Sequence, residues 1–249
     1  MARPAGKPGR YVARQLSRKV GAMLVCLCIL AVACGFAFAL ALTTRSWLVG
    51  VLLVLGIVAL LVLSMYLLHR IEKEGNRWKK GLDGELCVGL SLTEELPNTF
   101  WVIHDLTTEF GNLDHVVIGP TGVFAVETKN WRGLVTADGK GELLLNGKPT
   151  DKPYVKNLTR TIMDVKDRLG ALVKTDRFIQ GVIVFPSAYD NTKWGTTGGV
   201  HCISIESIPS YFVKHRVKTP LTTNQVDDIA QAFLALARRD KDFPGEGNA

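Results

Sequence analysis

The sequence predicts a mixed α/β domain with helices on both faces of its sheet, preceded by two membrane-spanning helices. Three observations lead there: two long uncharged runs near the N-terminus, an alternation of helical and strand periodicity from residue 81 onward, and no internal repeat or low-complexity segment.

Val20 to Leu42 is 23 residues without a charge and Trp47 to Leu68 is another 22. Each is long enough to cross about 30 Å of hydrocarbon at about 1.5 Å per residue. A cleaved signal peptide has a shorter apolar core followed directly by a soluble domain, whereas here only Thr43, Thr44, Arg45 and Ser46 separate the two runs. The expected organisation is a basic tail over 1–19, a transmembrane hairpin over 20–68 and a charged juxtamembrane linker over 69–80. Six basic residues and no acid precede the first run, and Arg70, Lys73, Arg77, Lys79 and Lys80 follow the second. The positive-inside rule then places both termini in the cytoplasm, at the inner face of the cell membrane, with the lipid bilayer as a partner.

The net charge of +7 invites a nucleic-acid partner, so its distribution matters. Of 30 basic and 23 acidic residues, the first nineteen positions hold six basic ones and Arg45 is a seventh, which leaves 23 of each sign from Ser46 onward. The C-terminal domain is formally neutral, and its overall charge argues neither for nor against nucleic acid. Cys26, Cys28 and Cys34 lie in the first apolar run, while Cys87 and Cys202 stand alone. No pair has zinc-ligand spacing, and all five read as structural.

From Gly81 the pattern is that of a folded domain. Leu82, Leu86, Gly89, Leu92 or Thr93, and Leu96 predict a helix over 82–96, stopped by Pro97 and Asn98. Phe100 to Leu106 has strand composition, two short apolar runs follow within 113–130, and the Gly-rich stretch from Gly133 to Lys148 suits a further hairpin. Leu158, Ile162, Val165, Leu169 and Leu172 mark one face of a helix ending near Lys174. Phe178 to Phe185 and Val200 to Ile205 read as strands, the first apolar enough for a central position. Val226, Ile229, Phe233 and Leu236 predict a last helix capped by Thr222 or Thr223 and closed before Pro244.

The segment LDHVVIGPTGVFAVETKN, Leu113 to Asn130, sets carboxylates and a lysine into apolar strands. If its two runs form an antiparallel hairpin around Gly119 to Gly122, cross-strand partners sum to 241, Asp114 faces Glu127, and Lys129 shares their face. A loop of two or four residues keeps that sum; a three-residue loop with a glycine bulge shifts it by one and sends the acids to opposite faces. Pro120 disfavours the two-residue primed turns, so a four-residue loop is expected. Two carboxylates and a lysine so gathered suit a hard divalent cation such as Mg²⁺ or Mn²⁺, with the lysine orienting water or offsetting phosphate charge. Glu85, beside the apolar stripe of the first domain helix, is placed to supply a third acid.

At these residues the chain resembles a known family. Asp114 with Glu127-Thr128-Lys129 looks like the PD-(D/E)xK nuclease motif. Together with Gly81-Leu82-Asp83-Gly84-Glu85, Leu113 to Pro120, Gly122 to Asn130 and Gly181-Val182-Ile183-Val184-Phe185 it resembles the nuclease-related domain, NERD. The resemblance covers 81–190, with 191–249 adding a C-terminal strand and helix. It implies a restriction-endonuclease-like mixed sheet flanked by helices, a role in DNA processing, metal ligands at Glu85, Asp114 and Glu127, and Lys129 as the catalytic lysine. One departure stands out: the family's downstream helix opens with Asn-Pro and a Gln three residues after the proline, whereas Lys152-Pro153-Tyr154-Val155-Lys156 puts lysines at both polar positions.

The remaining candidates have plainer readings beside the functional one. His115 falls on the face opposite Asp114 and reads as a packing histidine, and His104 and His201 have no spaced partners. Lys156, Arg160, Lys166 and Arg168 flank the helix stripe and suit phosphate, yet Asp164 and Asp167 interleave as on an ordinary solvated face. Trp131 and Trp194 suit base stacking, but isolated tryptophans are more often structural anchors. Two functions follow from this sequence: a metal-dependent nuclease, or a catalytically silent module that binds nucleic acid or protein.

Overall fold

The computed structural model describes residues 1–8, 10–44, 47–108, 111–170, 172, 178–190, 192, 197–215 and 219–238. In chain order the elements are β1 (Arg3–Ala5), α1 (Arg10–Thr44), α2 (Trp47–Glu95), β2 (Trp101–Thr108), β3 (Gly111–Gly119), β4 (Gly122–Thr128), β5 (Gly133–Ala137), β6 (Leu143–Leu145) and β7 (Lys148–Pro149). There follow α3 (Tyr154–Gly170), β8 (Ile179–Phe185), β9 (Ala188–Asp190), β10 (His201–Ser204), α4 (Ile208–Lys214) and α5 (Thr223–Arg238). Two compact units result, one of Met1–Tyr11 with Gly81–Ala249 and one of Val12–Lys80.

The Val12–Lys80 unit is helical and corrects the membrane reading. Among the described residues no helix is long and apolar enough to cross a membrane. α1 begins in the basic segment at Arg10, and α2 continues through the charged 69–80 stretch to Glu95. The two-span hairpin, the inner-membrane location with cytoplasmic termini and the bilayer partner are therefore not supported. Arg45, the one charge between the apolar runs, lies outside the described residues.

The other unit is built on a six-stranded mixed sheet of order β1-β2-β3-β4-β8-β10. β2 and β4 each run antiparallel to β3 between them, and β8 joins β4 in parallel. β8 is buried at all seven positions, as a strand covered on both faces should be. The first residues of the chain contribute the edge strand β1, parallel to β2, where the Arg3 guanidinium lies 2.8 Å from Asp227 and 4.6 Å from the centre of the Trp101 ring. A smaller sheet of order β7-β6-β5-β9 contains the hairpin expected from the Gly-rich stretch.

Alternation along the strands divides the core into two layers. Val116, Ile118, Val123 and Ala125 pack with Val155, Leu158 and Val165 of α3 and with Val226, Ile229 and Phe233 of α5. Val117, Phe124, Val126 and Val182 pack with Val88 and Leu92 of α2 and with Tyr211 and Phe212 of α4. Helix ends are satisfied locally. Thr222 and Gln225 exchange hydrogen bonds of 3.3 and 3.0 Å in a capping box that starts α5, and the Glu142 carboxylate accepts the first-turn N–H groups of Val155 and Lys156 in α3. α3 closes at Gly170; Leu172, expected on its stripe, lies in a turn and is exposed, and 173–174 fall outside the described residues. The closure before Pro244 does so as well.

Candidate functional site

The turn between β3 and β4 decides which face the acids share. His115 pairs with Val126, Val117 with Phe124 and Gly119 with Gly122, so partners sum to 241. Only Pro120 and Thr121 lie between paired residues, a tighter loop than the expected four, but an even one that leaves the register unchanged. Gly122 makes the tight turn feasible, because its φ of +133° is open to glycine and strained for other residues. Pro120 accepts the N–H of Leu221, and the Thr121 hydroxyl donates to the carbonyl of Phe212 at 2.7 Å, which ties the loop down.

One step further along this register, Asp114 stands opposite Glu127, on the side of the sheet that holds Val116 and Ala125. The Thr128 N–H donates to Asp114 Oδ2 at 2.7 Å, and Lys129 Nζ donates to Glu127 Oε1 at 2.5 Å. The Lys129 N–H donates to the carbonyl of Val184 at 2.9 Å, which carries the β4–β8 pairing past the last residue of β4 and fixes the lysine's direction. Glu127 and Lys129 are each about one-fifth exposed, a sheltered pair.

Glu85 arrives from the helix on the other layer. It is 4% exposed, while the neighbouring Leu86, expected on the buried stripe, stands out in solvent. The close approach depends on Gly84, where an added Cβ would sit 2.5 Å from Asn130 Cβ just beyond β4. A side chain there would push α2, and Glu85 with it, away from the acids. The charges show the convergence. Burial, then Glu127, then Glu85 push the Asp114 carboxyl well above its usual range, against the opposing pull of Lys129 and the Thr128 N–H. At Lys129 burial works to lower the pKa, but Glu127 and Asp114 outweigh it and hold the ammonium charged well beyond neutral pH.

Tyr154, the first residue of α3, completes the surroundings. Its ring centre is 4.9 Å from Lys129 Nζ and 5.1 Å from that of Trp131, and its hydroxyl donates to Asp151 at 2.9 Å. Burial and Asp151 raise that hydroxyl to about 12, so it stays protonated. Nothing in the strand periodicity pointed to Tyr154; its place after Pro153 at a helix start was the one available signal. Trp131 also packs 5.6 Å from Phe185, as an anchor does, and Trp194 lies outside the described residues.

The histidines are structural in arrangement. His104 and His115 are cross-strand neighbours whose Nδ1 atoms lie 2.9 Å apart in the α2 layer, and His201 Nδ1 meets the Tyr211 hydroxyl at 2.6 Å. Arg168 pairs with Asp164 at 3.0 Å on α3. Cys28, Cys34, Cys87 and Cys202 form no disulfide among the described residues. Among the described residues no group of three or more His, Cys, Asp or Glu side chains closes into a metal-ligand set, so Glu85, Asp114 and Glu127 are neighbours in charge rather than a formed cage.

Comparison with known proteins finds a family model that spans these residues. Residues 80–186 match the nuclease-related domain, NERD. An uncharacterized protein of Bacillus anthracis is 40% identical over 75 residues, which make up 28% of this chain and 35% of that protein. The chain thus spans about a third of that curated relative. No solved structure matches. The NERD match begins just before Gly84-Glu85 and ends at the close of β8, so it encloses Asp114, Glu127 and Lys129.

Proposed function

We propose that this NERD unit hydrolyses phosphodiester bonds of nucleic acid, DNA in the first instance, with Mg²⁺ or Mn²⁺ as cofactor. The observation that carries the reading is the gathering of Asp114, Glu127 and Lys129 at the end of β4, with Glu85 beside them. The donor chemistry fits a hard divalent ion: three carboxylates face one ammonium, and Asp114 and Glu127 each have one oxygen with no hydrogen-bond partner among the described residues. Asp114 and Glu127, joined by Glu85, would hold the ion, which would supply Lewis-acid polarisation of the phosphate and acidify a water. Lys129 acts as a permanent cation that orients water and phosphate, because its charged neighbours keep it protonated and unfit as a base. The nuclease-related domain is assigned to 81–190, completed by 191–249, and the six-stranded mixed sheet suits a restriction-endonuclease-like arrangement.

A silent binding module is the second reading, favoured by the absence of a closed three-ligand set among the described residues and by lysines where the family has Asn and Gln. The test is cleavage of single- and double-stranded DNA and RNA by the full chain, since β1 comes from the N-terminus. Metal-dependent cleavage reduced at least about 100-fold by Glu127→Ala and by Lys129→Ala is the expected result. No cleavage of any form, with no Mn²⁺ binding, would leave the silent module.

A further inference from the structure

The N-terminal end of α3 is the part of that helix nearest the candidate site, and it carries basic side chains without acid partners. Tyr154 pins it there through Lys129 and Trp131. Within two residues of Tyr154 or Trp131 stand Lys152, Lys156 and Arg132, all exposed, and none makes an ion pair among the described residues. The two acids at this end are committed within the fold: Asp151 accepts the Tyr154 hydroxyl, and Glu142 accepts the first-turn N–H groups of α3. Farther along the helix Arg168 is bound to Asp164, so the uncommitted positive charge is concentrated toward the site.

We infer that Arg132, Lys152 and Lys156 form the surface that holds the sugar–phosphate backbone of a nucleic-acid strand beside Lys129. This rests on the proposed nucleic-acid function and adds where the strand lies. Charge complementarity selects the occupant, because flexible cations flanking a sheltered Asp-Glu-Lys cluster suit a repeating phosphate chain better than a single small anion. The formal neutrality of the domain does not oppose it, since backbone contacts depend on local charge. The lysines at the two positions where the family carries Asn and Gln then exchange amide hydrogen bonding for point-charge contact with phosphate, which carries no sequence preference.

The test is binding of a fluorescein-labelled DNA oligonucleotide, single-stranded and as a duplex, to the full chain in EDTA over a range of salt concentrations. Lys152→Glu with Lys156→Glu should flatten the plot of log affinity against log salt by about 1.8 for duplex or about 1.4 for single strands. Lys214→Glu, an exposed change on α4, should leave the slope unaltered. Lys152→Gln with Lys156→Gln, judged by the same slope, serves if charge reversal lowers the melting temperature. Wild-type slopes in both lysine pairs, an equal loss in Lys214→Glu, or no DNA binding at all would overturn the inference. Cleavage with wild-type slopes in the lysine variants would sink this surface alone, whereas no cleavage with a flattened slope would sink the catalytic reading alone.

Discussion

Asp114 and His115 are consecutive residues of β3, yet they lie in opposite layers of the sheet and behave in opposite ways. Toward α3, Asp114 joins Glu127, Glu85 and Lys129 in a cluster with more negative charge than its single lysine balances. Toward α2, His115 and His104 share a hydrogen bond in the core, where burial lowers His104 to about 4 and holds His115 well below its usual value, assisted by repulsion from His104. Both layers contain buried polar groups, but in one the histidines meet at Nδ1, with His115 Nε2 lacking a hydrogen-bond partner among the described residues, whereas in the other burial and the neighbouring carboxylates disfavour the charge on Asp114. A hydrogen-bonded pair adds to specificity of packing, and a disfavoured charge is a cost that a bound cation would relieve.

Three experiments would break or sharpen this contrast. The largest effect is expected on the histidine side. His115→Ala leaves His104 Nδ1 without its partner and opens a cavity, at a cost of about 3–4 kcal/mol in urea unfolding, whereas His104→Leu with His115→Leu should stay within about 1.5 kcal/mol of wild type. An equal loss in both variants would show that the pair does more than satisfy itself.

Next comes pH. The unfolded chain protonates His104 as pH falls below about 6.5 and the folded chain does not, so its contribution is intact above that pH. About 3 kcal/mol is lost on the way down to about pH 4, a loss missing from the double leucine variant. Asp114 has the opposite sign: its raised carboxyl makes stability fall as pH rises from about 4 and recover on acidification.

The smallest effect follows from that sign. Asp114→Asn keeps an acceptor for the Thr128 N–H but removes a disfavoured charge, so thermal unfolding at neutral pH should show a gain of about 1–2 kcal/mol. Added Mg²⁺ should raise the melting temperature of wild type and not of this variant. A destabilised Asn variant would mean that Lys129 already balances the cluster.

Much of this was legible in the chain. Period two placed Asp114 and Glu127 together once the loop was even, and Pro120 narrowed the loop although not to its true length, because Gly122 closes a tighter turn than the proline alone suggested. The apolar run of β8 announced a central strand, and Thr222 announced a cap. The α2 stripe was misjudged at Leu86, since its packing face follows Gly84, Glu85 and Val88 instead. The long apolar runs were read as spans from their length, freedom from charge and basic flanks, and among the described residues no helix is long and apolar enough to cross a membrane.

Local chemistry along the sequence therefore determined the hairpin register, the strand order of polarity and the identity of the charged trio, because each depends on spacing within a few residues. Tertiary structure decided what spacing cannot encode: that Gly84 lets α2 approach Asn130 and deliver Glu85, that Tyr154 meets Lys129, that the chain's first residues supply β1, and that two histidines eleven residues apart share one hydrogen bond. Those contacts join distant segments, and only the packing of whole elements around the sheet sets their distances.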